Sequence, residues 1–384
     1  MARTTTLRYV WVLVFAVVVS LPSGAVSQKA SPVMELAPGV EVVANGLTNP
    51  RGFTWGADGT LYLALAGAGG DTQLQVEGTP VPYMVGPTSS VATVTDGCTS
   101  PVAEGLGSAL WTDAGWIWGA MDVAILGEDL YVLLGAGSDL GGNGIYRVLQ
   151  DGSIELVVDL GAWLTENPPA FIPPDYDPTG SWFDLESDGE KLWVSEAVGG
   201  YLLTVSTAGE VTVMADLSVG HLVPTGVALD GEGGAYVGFE TTIPYPDGGS
   251  KVVHVAADGT VTDYWTGLTA VTDVVMGPDG MLYAAEMATG NTEDPPFFTP
   301  NSGRIVRMTG PDSLEEVVTD FEAPVYLGFG MDGMLYVTAP AYAPDAGEGH
   351  GALVQFDLGM ELPLSAAGFA NADPTCAGSA TPVA

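Results

Sequence analysis

Three aspartates, Asp122, Asp184 and Asp273, each stand nine or ten residues ahead of an aromatic, namely Tyr131, Trp193 and Tyr283. The same offset from Tyr62, Tyr236 and Tyr336 gives Gly52, Gly226 and Tyr326. Three residues beyond Trp193 and Tyr283 come Glu196 and Glu286, and Glu240 follows Tyr236 one place out of step. If that spacing is the period of a structural repeat, these carboxylates converge. Converging carboxylates repel unless a cation, a base or raised pKa values relieve them. Ca2+ or another divalent cation is the cofactor such a set would take, with Asp122, Asp184, Asp273, Glu196 and Glu286 as candidate donors. The plainer expectation is that each Asp caps backbone N–H groups at a strand start. Arg51, in NPRG, is the base beside this set, and His221, in GHLVPTG, is the candidate general acid or base. Neither His254 nor His350 has an evident partner.

The elements that would position these residues form a repeat. An apolar strand, a tight Gly/Asp turn and a second strand opening with an aromatic recur six times, as in FTWGADGTLYLAL (53–65), LESDGEKLWVSE (185–196) and VVMGPDGMLYAAE (274–286). Strand pairs joined by Asp-Gly-type turns are hairpins. Each pair is followed by a third strand and a fourth, such as SKVVHVA and then VTDYWTGL. Four antiparallel strands at a period of roughly 40–50 residues are propeller blades, because one such sheet cannot bury its own faces. The sixth unit has a third strand (352–358) but lacks a fourth, and an unpaired strand of the fourth type, VEVVANGL (40–47), lies near the start of the chain. Joining the two closes the ring and removes an open edge. The predicted fold is all-β, a six-bladed β-propeller over 40–362 closed by an N-terminal strand, with no helix of useful length.

In such a blade the first-to-second and third-to-fourth turns lie on one face, and all of them are short here. The long connections (66–90, 111–120, 161–181, 241–250, 287–302 and 340–351) all fall on the other. Loops that grow at one end of a scaffold carry function. They hold Trp111, Trp116, Trp118, Trp163 and Tyr176, the candidate ligand-binding residues, whose rings suit flat or sugar-like ligands. The rival reading is that these rings pack the blade ends.

Composition narrows the class. Lys and Arg number 9 against 47 Asp and Glu, a net charge of −38, which excludes a nucleic-acid partner and disfavours an anionic membrane. Arg3 and Arg8 precede an apolar run, Tyr9–Leu21, and a small-residue cut site after Ser27. That is a cleavable signal peptide over 1–27, so the expectation is a secreted or periplasmic protein, free of the membrane after cleavage. A linker (28–39) follows it, and a tail (363–384) follows the propeller. Export permits a disulfide between Cys98 and Cys376, the only cysteines. No GxSxG, HExxH, CxxC, GxGxxG or P-loop occurs, and DLESDG (184–189) opens like a calcium loop without the closing Glu.

At GLTNPRGFTWGADGTLYLALAG, VPTGVALDGEGGAYVG and LTAVTDVVMGPDGMLYAAEMATG the chain resembles the exported propellers associated with scytonemin biosynthesis, the ScyD/ScyE-type family, from about residue 40 to 358. More distantly it is similar to NHL-repeat and gluconolactonase-type propellers. The resemblance implies a periplasmic or secreted six-bladed propeller, linked in some members to maturation of an indole–phenol pigment. Thr225 and Thr272 stand where gluconolactonase-type enzymes place Asn or Asp, so a lactonase site does not carry over. Two functions follow. One is a monomeric propeller binding a small, aromatic ligand or a protein partner on its long-loop face. The alternative is a metal-dependent hydrolase or oxidoreductase acting at the acidic channel mouth. Few histidines and no nucleophile motif favour the binder.

Overall fold

The structure, a computed structural model, describes residues 36–75, 82–111, 115–135, 142–294, 297–341, 349–371 and 376. The signal peptide and most of the linker read from the sequence lie outside the described residues.

Six antiparallel sheets make six blades. Their innermost strands are Pro50–Trp55, Ala120–Leu126, Trp182–Ser187, Pro224–Leu229, Val271–Met276 and Tyr326–Phe329 in blades 1 to 6. Each inner strand touches the next, and the sixth touches the first, so the ring is closed. Blade 6 takes its outer strand from Val40–Leu47, which pairs antiparallel with Gly351–Phe356. The expected closure by an N-terminal strand is therefore the closure observed.

The repeated turn shows why its residues recur. Asp279 Oδ1 accepts the N–H of Met281 at 3.1 Å while its Oδ2 accepts the Tyr283 hydroxyl at 2.9 Å. Asp332 does the same for Met334 and Tyr336, and Asp188 holds the indole N–H of Trp193 at 2.8 Å. One carboxylate thus closes the turn and fixes the aromatic that opens the second strand. Gly280 and Gly333 follow at φ 74° and 78°, a region that costs a side chain energy. Blade 4 varies the scheme, since its Asp230 pairs with His254 at 2.8 Å. His254 therefore has a partner that the sequence did not show.

Alternate side chains from facing blades build one apolar cluster per seam. The seam between blades 2 and 3, for example, buries Leu133, Ile145, Trp182, Val194 and Leu203. The second and third strands of blade 3, Leu192–Glu196 and Tyr201–Val205, are buried on both faces, so runs such as LWV and YLL replace alternation there.

Two differences from the sequence reading concern elements. The connections 66–90 and 111–120 are partly strand. Thr72–Leu74 pairs with Tyr83–Val85, and Trp116–Trp118 pairs with Ala109–Trp111, so blade 1 grows a small sheet beyond the propeller body. Gly69 and Gly70 allow this, because a Cβ there would lie 2.4 Å from Met84 O and 2.6 Å from Gly86 Cα. The long connection after blade 2 holds a short helix, Leu160–Glu166, capped by Asp159, whose Oδ1 accepts the N–H of Ala162. The tail docks before it turns polar. Leu364–Ser365 pairs parallel with Val318–Thr319, Phe369 packs on Phe321, and Cys376 is disulfide-bonded to Cys98 at the outer hairpin turn of blade 1.

Candidate functional site

The three aspartates of the inner strands do converge, and each reaches into the next seam. Asp122 accepts the N–H of Val123 at 2.7 Å and of Leu185, in blade 3, at 2.9 Å. Asp184 accepts the N–H of Val227 in blade 4. Asp273 accepts the N–H of Val274 at 2.7 Å and of Leu327, in blade 6, at 2.9 Å. The cap on backbone amides is thus the role these oxygens play, with the refinement that most of the donors belong to the following blade. Gly52 and Gly226 occupy the same column because a Cβ at either would overlap Asp122 or Asp273. Hydroxyls continue the stapling. Ser195 donates to Thr225 O, Thr225 to Val271 O at 2.7 Å and Thr272 to Pro324 O at 3.0 Å.

Tyr326 reaches from blade 6 across to blade 3. Its ring stacks on Phe183 at 5.3 Å, and its hydroxyl donates to Phe183 O. Arg51 is 2% exposed and donates to Pro50 O, Pro340 O and Ala341 O, and burial lowers its guanidinium to about 10. It pairs with carbonyls and not with the acids.

Raised pKa values relieve the crowding of these acids. Burial first, and then the charge and hydrogen bond of Asp184, hold Asp122 well above the usual carboxylate range. Burial pushes Asp184 up to about 6 and Glu186 to about 8. Asp273 rises for the same reason, with Asp184 and Glu186 adding to it. The sequence reading missed Glu186, which sits two residues beyond Asp184 on the same face of an inner strand. That period of two was the signal available.

A divalent ion does not fit this set, because the aspartate oxygens are already acceptors of N–H groups. Among the described residues no three His, Cys, Asp or Glu side chains stand together so as to hold a metal ion. The two glutamates lie apart from the aspartates, at the ends of second strands. Glu286 accepts the N–H of Thr269 at 2.6 Å and pairs with Arg304. Glu196 accepts the N–H of Ser181 at 2.8 Å.

The aromatic candidates divide between two places. Trp111, Trp116 and Trp118 join Tyr83, which the sequence reading did not single out, in a closed ring of four on the blade 1 extension, with centroids 5.7–6.4 Å apart. All four are half-buried. Trp116 also packs on Tyr245, Ala270, Met287 and Ala323 at the ends of blades 4 and 5. Trp163 meets Tyr201 edge-on at 5.7 Å, and Tyr176 packs beside it on the seam of blades 2 and 3. His221 pairs with Asp175, the residue before Tyr176, at 2.9 Å.

No protein-family model matches the chain, and no curated protein matches it. Solved structures do. A glucose-dehydrogenase-type oxidoreductase from Thermus thermophilus aligns with a TM-score of 0.56 and 16% identity over 83% of this chain and 99% of that one. The PQQ-bound aldose sugar dehydrogenase of Streptomyces coelicolor gives 0.53 and 12% over 84% and 99%. The calcium-binding protein regucalcin from Agrobacterium tumefaciens gives 0.52 and 14% over 83% and 93%. At these identities the likeness is one of fold alone, the six-bladed β-propeller.

Proposed function

We propose that the protein is an exported binding propeller of the ScyD/ScyE type, holding a small aromatic ligand on its long-loop face. The observation that carries this reading is the ring of Tyr83, Trp111, Trp116 and Trp118, four half-buried aromatics on an extension that, among the described residues, only blade 1 carries. Such a concentration of partly exposed indole surface is costly to keep in water and suits a flat partner. Export is supported by the N-terminal signal and by the Cys98–Cys376 disulfide, which needs an oxidising compartment. The metal-enzyme alternative is weakened because Asp122, Asp184 and Asp273 accept backbone amides and Arg51 donates to three backbone carbonyls.

The test is a tryptophan-fluorescence titration of the purified full chain with 3-methylindole and 4-ethylphenol. Saturable quenching is expected, weakened about tenfold or more in Trp118→Ala, since one stacking ring contributes ~1–3 kcal/mol. Linear, non-saturating quenching that is identical in the variant overturns the reading.

A further inference from the structure

The connection that follows blade 2 carries five prolines between residues 168 and 178, which fix φ over much of the segment NPPAFIPPDYDP. Three contacts fasten it to the turn that leaves the outer strand of blade 3, Val211–Asp216. The Ala170 N–H donates to Asp216 Oδ2 at 2.8 Å, the Phe171 N–H donates to the Ser218 hydroxyl at 3.1 Å, and Asp175 pairs with His221 at 2.9 Å. Ser218 is itself buried and donates to Asp216, so the Phe171 backbone rests on a fixed anchor. The residue beside that anchor is Val219.

What these contacts hold is apolar and open to water. Phe171 is 42% exposed, Ile172 51% and Val219 74%. Scattered surface hydrophobics need no explanation, but here polar staples and prolines hold three of them together. A segment already stiff loses little freedom when a partner covers it, which favours binding. The three side chains stand out from the surface, whereas a small ligand needs a recess that covers most of it.

The surroundings set the partner's charge. Residues 148–250, which include the patch, have 17 Asp and Glu against one base, Lys191, whose ammonium lies over the Trp193 ring at 4.8 Å. Glu166, Asp175 and Asp216, on or beside the same connection, are exposed. A second copy of this chain would bring like charge against like, at −38 for each, and an anionic lipid surface would be repelled in the same way.

We propose that Phe171, Ile172 and Val219 form a docking surface for a basic polypeptide segment, whose apolar side chains cover them while its Lys and Arg side chains face the surrounding carboxylates. The surface shares no residue with the ring cluster of blade 1, so it stands or falls independently of the aromatic-ligand reading.

Fluorescence anisotropy of the full chain with three labelled peptides tests this: one of lysine and leucine, one with serine in place of leucine, and one with glutamate in place of lysine. At about 0.15 M NaCl, where exposed charges are partly screened, the wild type should bind the lysine–leucine peptide about tenfold or more tightly than the lysine–serine peptide. The glutamate–leucine peptide should not bind. The triple variant Phe171→Ser, Ile172→Ser, Val219→Ser should lose the tenfold margin, and Trp118→Ala should keep it. Val219→Lys, a single change at the most exposed of the three, should also weaken the lysine–leucine peptide, and it gives the answer if the triple variant lacks the wild-type near-ultraviolet dichroism. Equal binding of the two lysine peptides, or a margin that survives in the triple variant, overturns the docking surface. So does a margin lost in Trp118→Ala, which seats the peptide on the aromatic rings. Sedimentation of the wild type as a dimer that the triple variant abolishes assigns the patch to a second copy, and cosedimentation with phosphatidylcholine vesicles assigns it to a lipid surface. Either result overturns the proposal.

Discussion

At the scale of single residues, the aspartates of the inner strands act across seams. Asp122 Oδ1 occupies the space a Cβ of Gly52 would need, at 1.7 Å, and its Oδ2 reaches Leu185. Gly52→Ala should therefore cost ~1–3 kcal/mol through overpacking. Asp122→Ala should cost ~2–4 kcal/mol through two amides left without an acceptor. The double variant should lose less than the sum by ~1 kcal/mol or more, because removing the carboxyl makes room for the new methyl. Urea denaturation of the three variants checks this, and strict additivity would show that the two residues do not share the space. The pair Glu286 and Glu196 supplies the opposite comparison. Glu286→Gln weakens a pair with an 80%-covered guanidinium and should destabilise by ~1–3 kcal/mol. Glu196→Gln removes a buried charge that faces no cation, so at pH 8 its midpoint should stay level or rise.

At the scale of elements, the sequence carried the blades well and the extension poorly. Turn Asp, Gly and strand aromatic are local chemistry, legible because Asp279 and Tyr283 need only each other. Closure by Val40–Leu47 was legible because an unpaired strand and a missing strand had to meet. The small sheet on blade 1 was hidden, because Thr72–Leu74 and Trp116–Trp118 are three residues each, too short to show a period. Which candidates would touch depended on distant partners, such as Tyr201 opposite Glu196 where blade 5 has Arg304. The disulfide can be tested at this scale. It spans 278 residues and fastens the tail, which docks on blade 5, to the outer hairpin of blade 1. Cys98→Ser should lower stability by up to roughly 5 kcal/mol, since the open chain regains loop-closure entropy. Dithiothreitol should reproduce that loss in the wild type and leave Cys98→Ser unchanged. A reductant-induced drop in the variant would place the stabilisation elsewhere.

At the scale of the whole molecule, the balance of 47 acids against 9 bases and the buried carboxyls act in the same direction on stability. Burial raises Asp184 to about 6, Glu196 and Glu240 to about 7 and Glu186 to about 8, against unfolded values of 3.8 for Asp and 4.5 for Glu. Between each unfolded and folded pKa the native state holds more protons than the unfolded chain, so stability falls as pH rises through that window. Acids with lowered values act in the other direction at lower pH. Asp58 and Asp258, each held down by the N–H of the Thr two residues on, stabilise above 3.8 and lose that contribution as they protonate. The thermal midpoint should therefore climb from pH 8 down to a maximum near pH ~5 and fall again below ~4. Surface self-repulsion adds to the upper slope, but it is screened at 1 M salt, where the Debye length is about 3 Å. The buried carboxyls are screened far less. A slope between pH 6 and 8 that persists in 1 M NaCl and flattens in Glu186→Gln assigns it to the channel acids. A slope abolished by salt assigns it to the surface, and the channel carboxyls would then be ionised alike in the folded and unfolded chain.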